Sequence, residues 1–168
     1  RTETPNTTGR EHAVDVYGEF RKLGGLWWVE YTEVGDGFNP EVGFLIREDY
    51  RTIQSSLMRN FRFPSVSWLR EFRPHVTYRH FWDFDGFSET DYIHLDPPVD
   101  FENGAFFSPA VNIRMEGLKE PFEIAPGIMI PQGNHRFTEL GWRWSTDQSA
   151  SIGYEGMLNA GGFFTGKR

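Results

Sequence analysis

The sequence predicts an all-β, antiparallel fold, and two observations carry that prediction. Apolar residues recur at every second position in nearly every segment, which is the side-chain period of a strand, and no segment carries a helical stripe. Clusters of glycine, proline and asparagine separate the alternating runs, as they do between strands. We expect an antiparallel meander of about eight to ten strands that is part of a β-barrel or forms one, with a soluble β-sandwich or jelly roll as the alternative.

The elements follow in order from these signals. Leu23-Gly24-Gly25 is a glycine turn that joins the first two runs into a hairpin, and residues 35–40 form a second dense turn signal. Pro74 interrupts the longest run and predicts a bend in it. The predicted strands are residues 12–21, 26–33, 43–51, 53–61, 66–84, 91–96, 110–116, 135–145, 149–158 and one that begins at 161.

No repeat, low-complexity tract or internal boundary divides the chain, so residues 1–168 are predicted to form a single all-β domain with a flexible segment at residues 1–11. Both ends are polar and abrupt, and we expect a fragment of a longer barrel domain. No run of about 18 apolar residues occurs, which excludes a membrane-spanning helix, although strands that alternate keep a low mean hydropathy.

Composition narrows the classes of function. The net charge of −7 and the lack of a Lys/Arg-rich run argue against a nucleic-acid partner. Cysteine is absent, which removes disulfides, thiolate metal sites and cysteine nucleophiles. Aromatic residues make up 17% of the chain, which is typical either of girdles at a lipid boundary or of surfaces that stack on sugars.

The alternation itself has two interpretations. The apolar stripes pack inward in a soluble sandwich or closed barrel, whereas they face lipid in a membrane barrel whose polar stripes face a wet lumen. Charged polar stripes, such as the one with Asp15, Glu19 and Arg21, are typical of pairs across a lumen. Trp and Tyr near strand ends, as at Trp27 and Tyr31, are typical of interface rings.

Candidate site residues are few. His75 shares a stripe with Asp83 and Asp85, but eight residues of strand span roughly 26 Å, which argues against a shared metal. Asp83 and Asp85 alone are weak calcium candidates, because the spacing of an EF-hand loop is not met. Glutamates are spread along the strands without a distinct pair, so no catalytic residue is assigned and no cofactor is expected. The candidates for stacking on a glycan are Trp68, Trp82, Trp142 and Trp144.

Four segments, in order, carry a resemblance to a known family. They are Asp36–Arg51 with its Phe38-Asn39-Pro40-Glu41 core, Leu69-Arg70-Glu71, Glu120-Pro121-Phe122-Glu123-Ile124 with the Pro-Gly turns after it, and Gly161-Gly162-Phe163-Phe164-Thr165-Gly166. The chain resembles the DUF5916 family, in which a family-9-like carbohydrate-binding module precedes a C-terminal domain interpreted as an outer-membrane barrel. The resemblance implies a fragment from the middle of that barrel and gives no catalytic residues to carry over.

The leading hypothesis is part of a bacterial outer-membrane β-barrel with a role in surface glycan capture or transport. Its expected partners are outer-membrane lipid or detergent and a polysaccharide. One alternative is a soluble, secreted or periplasmic β-sandwich that binds or hydrolyses polysaccharide through a carboxylate pair, which would make it a glycoside hydrolase. Another is a structural subunit of a surface assembly.

Overall fold

A computed structural model describes residues 9–147 and 149–167, and these residues form thirteen strands and no helix. Eleven strands belong to one antiparallel sheet and the other two to a small hairpin, which confirms the predicted all-β, antiparallel class. The eight long strands are β1 Ala13–Lys22, β2 Gly25–Val34, β3 Tyr50–Arg59, β5 His75–Trp82, β6 Ser88–Asp96, β8 Phe106–Leu118, β11 Gly133–Ser145 and β12 Glu155–Phe163. The short strands are β4 Leu69–Phe72, β7 Val99–Phe101, β9 Phe122–Ala125, β10 Ile128–Ile130 and β13 Gly166–Lys167.

The long strands form an up-and-down meander in the order β1-β2-β3-β5-β6-β8-β11-β12, with β13 beyond β12. Short β4 and β7 pair with each other beside β8, and β9 pairs with β10 as a separate hairpin. Extensive contacts between strands of the described ranges occur only between hydrogen-bonded neighbours. The described residues therefore form a single layer, without a second sheet on either face and without pairing between β1 and β12.

The rows of paired residues run obliquely across the sheet. One row starts at Phe20, close to the β1–β2 turn, and crosses to Trp27 and then Leu57. It continues through β5, β6, β8 and β11 and reaches β12 at Ala160, close to the opposite ends of the strands. Strands that are staggered in this way are tilted relative to the rows, which is the arrangement that a curved or closing sheet requires.

The tightest predicted turn is present. Leu23 and Gly24 both have positive φ, 50° and 73°, and they join β1 to β2 as a two-residue loop. Two successive positive φ values mark a type I′ turn, whose twist matches that of the paired strands. The glycine that the sequence placed there supplies one of the two left-handed positions, and Leu23 occupies the other.

Three predicted strands differ from the structure. Residues 43–49 form no strand, because Glu41 and Asp49 take positive φ values of 47° and 59° in the loop between β2 and β3. The run at 66–84 is split at Pro74 into β4 and β5, and β4 pairs with β7 instead of continuing the meander. The strand predicted from Ser149 begins only at Glu155, as β12, and Asp147 accepts hydrogen bonds from the backbone N–H and the hydroxyl of Ser149.

Part of the predicted N-terminal segment is held in place. Residues 1–8 of that segment lie outside the described residues. Arg10 donates a backbone hydrogen bond of 2.7 Å to Asp36, and Gly35 and Gly37 donate to the carbonyl groups of His12 and Arg10. These contacts extend the ladder of β1 and β2 past Ala13. Across the described residues, no helix is long and apolar enough to span a membrane.

Candidate functional site

The register divides the side chains of the sheet into two faces of opposite character. The first, here called the apolar face, carries mainly aliphatic and aromatic side chains on every long strand. It carries Val14, Val16, Phe20, Trp27, Val29, Tyr31, Ile53, Leu57, Val76, Tyr78, Ile93, Leu95, Phe107, Val111, Ile113, Met115, Leu140, Trp142, Trp144 and Leu158. These side chains are in cross-strand register, so they form one continuous surface from β1 to β12.

The apolar face is exposed. Val16 is 60% exposed at one edge, Leu57 55% in the third strand and Leu158 55% at the other edge. Ile113, near the middle of the sheet, is still 42% exposed. A monomeric soluble protein rarely leaves an apolar patch of more than a few hundred Å² open to water, so an exposed surface of this extent is unusual for such a protein.

The opposite surface, here called the polar face, carries charged and hydroxyl side chains on every long strand. They include Asp15, Tyr17, Glu19, Arg21, Glu30, Thr32, Thr52, Gln54, Ser56, His75, Thr77, Arg79, Thr90, Tyr92, His94, Asp96, Ser108, Asn112, Arg114, Glu116, Glu139 and Arg143. The sequence predicted this segregation from the period-two stripes, and the register confirms it. Both faces are therefore properties of the whole sheet.

Neighbouring strands pair their polar side chains. Arg79 donates from Nε to Gln54 at 2.7 Å, and Arg114 donates from Nε to Glu139 at 3.0 Å. Arg114 also lies over the ring of Tyr92, 4.5 Å from its centroid. Charges of the polar stripes were predicted to pair across a lumen, whereas these pairs join adjacent strands on one face.

Burial is the reverse of that in an ordinary soluble sheet. The strand residues of the polar face that are shielded from solvent are Val34, Thr52, Ser108, Phe137, Glu139 and Gly141, whereas on the apolar face only Met115 is buried among the described residues. Glu139 is 2% exposed and Thr52 3% exposed. Buried charges require partners, and Arg114 supplies one for Glu139. The polar face is thus the sheltered side of the layer and the apolar face is the outer one.

Polar groups mark the limit of the apolar face at the end of the sheet where β1 begins. Glu33 pairs with His12, Nε2–Oε1 2.5 Å, and with Arg51, Nε–Oε2 2.7 Å. Tyr31 donates its hydroxyl to Glu33 at 2.6 Å. We call this boundary, with the His80–Asp91 pair and Trp82 beside it, the polar belt; Trp82 stacks on His80 with 4.8 Å between ring centroids.

The distance between the charged boundaries can be read along β3. Arg51 and Arg59 lie on the apolar face near the two ends of this strand, with Ile53, Ser55 and Leu57 between them. Eight residues of strand span about 27 Å, or about 20 Å across a layer if the strand tilts by about 40°.

The glycine-rich segment near the end of the chain has a packing role. A side chain at Gly162 would place its Cβ 2.8 Å from the Cβ of Phe137. Phe137 in turn contacts Phe163 and Phe164, with ring centroids 6.1 Å and 5.6 Å away. These contacts close the polar face at one corner of the sheet, so the Gly-Gly-Phe-Phe sequence marks a close approach of two strands.

Asp83, one of the two calcium candidates, belongs to the β5–β6 turn. Its Oδ1 accepts backbone hydrogen bonds from Asp85 at 2.9 Å and Phe87 at 2.8 Å, and its Oδ2 lies 2.5 Å from Nζ of Lys119. The Lys119 ammonium, followed by these backbone donors, lowers the pKa of Asp83 although burial opposes it. The contacts give Asp83 a structural role. A calcium site at Asp83 and Asp85 stays a prediction.

The four tryptophans predicted to stack on a glycan occupy separate parts of the fold. Trp142 and Trp144 lie on the apolar face of β11, Trp82 lies in the polar belt, and Trp68 packs on Phe101 before β4, with 5.9 Å between ring centroids. Trp82 pairs with Ser88 at the start of β6, whereas Trp144 lies beyond the other end of β6. The two rings are therefore separated by the length of β6, which is nine residues or roughly 30 Å. The stacking role stays a prediction, and one sugar cannot contact all four rings.

A cluster of metal-ligand type lies on the polar face and was not predicted from the sequence. His75, His94 and Asp96 each offer one ligand atom, and these atoms lie within 4.8 Å of one another. His75 of β5 pairs with Asp96 of β6, and His94 lies on the same face of β6. The available signal was the His-Leu-Asp spacing of residues 94–96 on the strand that returns beside His75.

Comparison with known proteins assigns no relationship: no protein-family model, curated protein or solved structure matches the chain. The resemblance to the DUF5916 family therefore stays a prediction. Its first signature, residues 36–51, falls mostly in the loop before β3, where Phe44 is 89% exposed.

Proposed function

We propose that this chain forms part of the wall of a bacterial outer-membrane β-barrel, with the apolar face toward lipid and the polar face toward an aqueous interior. The proposal is supported chiefly by the reversal of burial, since the apolar side chains lie on the open surface and the polar ones on the sheltered surface. A lipid-facing barrel has this arrangement, because its strands alternate apolar residues outward and polar residues inward.

The alternative of a soluble sandwich needs a second layer. Such a fold buries its apolar stripes between two sheets packed about 10 Å apart. The described residues provide one layer, and side chains such as Val16, Leu57 and Leu158 remain more than half exposed. Burying one large aliphatic side chain contributes about 1.5–3 kcal/mol, so leaving the whole face in water forgoes a large stabilisation that lipid supplies.

Polar boundaries support the same assignment. Water is absent from the hydrocarbon region, so charged side chains of the lipid-facing surface belong near the headgroups. The polar belt and Arg59 lie at opposite ends of the apolar face, and along β3 the side chains between Arg51 of the belt and Arg59 lack charge. Trp27 and Trp82 lie near these ends, where interface rings are expected.

The proposed role in glycan capture or transport is supported by an open cleft at the end of the sheet opposite the polar belt. The cleft is lined by Arg73, Phe106, Arg143, Trp144 and Glu155, among others. Aromatic rings that stack on sugar faces and charged groups that bind hydroxyls are the side chains such a site uses. The cleft contains one of the four tryptophans named from the sequence.

Two neighbouring tryptophans allow a direct test of the lipid-facing surface. Trp27 lies on the apolar face and Trp28 on the polar face of β2, at nearly equal depth. Two variants keep only Trp27 or only Trp28 and replace the other five tryptophans with phenylalanine. After reconstitution in vesicles that contain brominated lipids, fluorescence of the Trp27 variant should be strongly quenched and that of the Trp28 variant much less.

Equal quenching of the two variants would contradict the assignment of faces, since depth is matched. The unmodified chain provides a second check by size-exclusion chromatography and circular dichroism in buffer without detergent. A monodisperse β-rich protein there would overturn the membrane proposal and favour the soluble alternative, for which polysaccharide binding and cleavage are the next measurements.

A further inference from the structure

We propose that His75, His94 and Asp96 form a binding site for a divalent transition-metal cation of the zinc type, located on the polar face of the sheet. The site does not depend on the membrane assignment, because it follows from the register of β5 and β6 alone. It adds a metal-binding property to a surface that otherwise contains paired charges and hydroxyl groups.

The register places all three side chains on one face at the ends of two neighbouring strands. His75 and Asp96 are directly paired, and His94 precedes Asp96 by two residues, which returns it to the same face. The rings of His75 and His94 lie 5.2 Å apart between centroids. The backbone of a hairpin therefore fixes the relative positions of the three potential ligands.

The ligand atoms need only a small movement to enclose a metal. They lie within 4.8 Å of one another, and Nε2 of His94 is 3.6 Å from Oδ2 of Asp96. Zinc bonds to imidazole nitrogen and carboxylate oxygen are about 2.0–2.2 Å, so tetrahedral ligand atoms are about 3.4 Å apart. The His94–Asp96 pair is close to that separation, and side-chain rotation of His75 supplies the rest.

Hydrogen bonding fixes the tautomer of His94. Its Nδ1 lies 2.7 Å from Oδ1 of Asn112, and this same oxygen accepts a hydrogen bond from the hydroxyl of Tyr92 at 2.8 Å. An amide oxygen accepts and does not donate, so Nδ1 of His94 carries the proton. In the neutral ring the lone pair is then on Nε2, which faces Asp96. Metal-binding histidines commonly have their other nitrogen held in this way.

Asp96 is oriented in the same manner. The hydroxyl of Ser108 donates to its Oδ1, which leaves Oδ2 directed toward His94. A lone pair on Nε2 and a carboxylate oxygen repel each other at this distance unless a proton or a metal cation lies between them. The geometry thus calls for a positive charge at this point, and the nearby imidazole of His75 adds a second nitrogen ligand.

The donor set indicates the class of metal. Two imidazole nitrogens and one carboxylate oxygen suit zinc and its neighbours in the transition series, whereas calcium and magnesium prefer sets made of oxygen. The His94 and Asp96 side chains are 22% and 15% exposed, so the cluster is sheltered yet reachable from the polar side. Three protein ligands leave a fourth position for water, as in open zinc sites.

The test uses the chain without a histidine tag, in detergent or in plain buffer, whichever keeps it β-rich by circular dichroism. Isothermal titration with zinc chloride should show one bound metal per chain, and cobalt chloride should give the visible absorption of a tetrahedral complex. His94→Ala and Asp96→Asn should each weaken zinc binding at least tenfold. His135→Ala is the matched control, because His135 lies on the polar face near the other end of the sheet and should leave affinity unchanged.

Asn112→Ala probes the positioning of His94 and should weaken zinc binding by about 10–100-fold without removing a ligand. The proposal is overturned if the β-rich chain binds no zinc, or if His94→Ala, still β-rich, binds it as tightly as the parent chain. Binding of zinc that falls equally in the His135→Ala control would assign the metal to the surface in general and would also overturn the site.

Discussion

Lys119, in the segment after β8, lies against Asp83 in the β5–β6 turn, with 2.5 Å between its ammonium nitrogen and Oδ2. The carboxylate of Asp83 is buried, whereas the side chain of Lys119 is about half exposed. The same carboxylate accepts two backbone hydrogen bonds from the turn. One aspartate thus joins a hairpin turn to a loop that follows a strand on the far side of β6.

Asp83→Ala should destabilise the fold more than Asp83→Asn. The alanine leaves the N–H groups of Asp85 and Phe87 without their acceptor, whereas asparagine keeps an oxygen for them and loses only the charge. Hydrogen bonds to charged groups contribute about 1.5–3 kcal/mol each, so losing both should cost the alanine variant about 3–6 kcal/mol. Urea unfolding at neutral pH measures the difference, and equal losses in the two variants would contradict this role.

Stability should also fall at low pH through Asp83. Its pKa is lowered in the folded chain, chiefly by Lys119. A lowered pKa means that the ionised form stabilises the fold at pH values above the unfolded pKa of about 3.9, and that this contribution is lost as the pH falls through the folded value. Urea unfolding between pH 6 and about pH 3 should therefore show a smaller loss for Asp83→Asn than for the parent chain.

Neighbouring positions of β3 should differ sharply in their tolerance of arginine. Leu57 lies on the apolar face and Ser56 on the polar face. If the apolar face meets lipid, Leu57→Arg should destabilise the chain in vesicles by about 1–2 kcal/mol, because Leu57 lies only two residues from Arg59 and the cost of arginine falls from about 2–4 kcal/mol at the bilayer midplane to about 0–1 kcal/mol near the interface. Ser56→Arg should have a much smaller effect. Urea unfolding in lipid vesicles measures both, and a reversed order would mean that the faces are assigned the wrong way round.

The β1–β2 turn should be improved by a residue that tolerates left-handed backbone. Leu23 has a φ of 50° in a two-residue loop, a conformation that favours asparagine or glycine over leucine. Leu23→Asn should stabilise the hairpin by about 0.5–1 kcal/mol. Leu23→Ala is the control, since alanine keeps the unfavourable Cβ; a similar gain from alanine would attribute the effect to loss of the exposed leucine.

Gly162→Ala should destabilise the corner of the sheet around Phe137. The new Cβ would lie 2.8 Å from the Cβ of Phe137, which forces β11 and β12 apart. Overpacking of this kind typically costs about 1–3 kcal/mol. At Gly166 the nearest atom to an added Cβ is a carbonyl oxygen at an ordinary 3.6 Å, so Gly166→Ala is a matched control. Thermal unfolding of both variants should show a lower midpoint for Gly162→Ala alone.

Much of the fold was predictable because the side-chain period of a strand is a local property. The stripes in residues 12–21 and 26–33 required no knowledge of distant contacts, and both faces of the sheet followed from them. The strand predicted at residues 43–51 was wrong at its start, since the positive φ values of Glu41 and Asp49 depend on the loop as a whole. The departure of β4 was equally hidden, because its partner β7 lies far along the chain.

The candidate metal cluster could not be predicted from single strands. From the sequence, His75 could be compared only with Asp83 and Asp85 on its own run, where the distance along the strand argues against a shared metal. The relevant neighbours of His75 lie across the hairpin, and their positions depend on the register and on the bulge between β5 and β6. One residue of slip would move His94 and Asp96 to the other face, so the residue types alone carry no such information.

The oblique row of paired residues from Phe20 to Ala160 means that each strand is staggered relative to the next. This stagger links the lengths of the connecting loops to the diameter of the proposed barrel. For a given number of strands, the diameter of a closed sheet depends on the total stagger accumulated around it. A slip of two residues at any one pair keeps every side chain on its face, so neither lipid nor lumen would oppose it, yet it alters that total. Short connections such as Leu23-Gly24 permit no such slip, and in the proposed barrel they would therefore help to set the interior diameter, together with the side chains that face the interior.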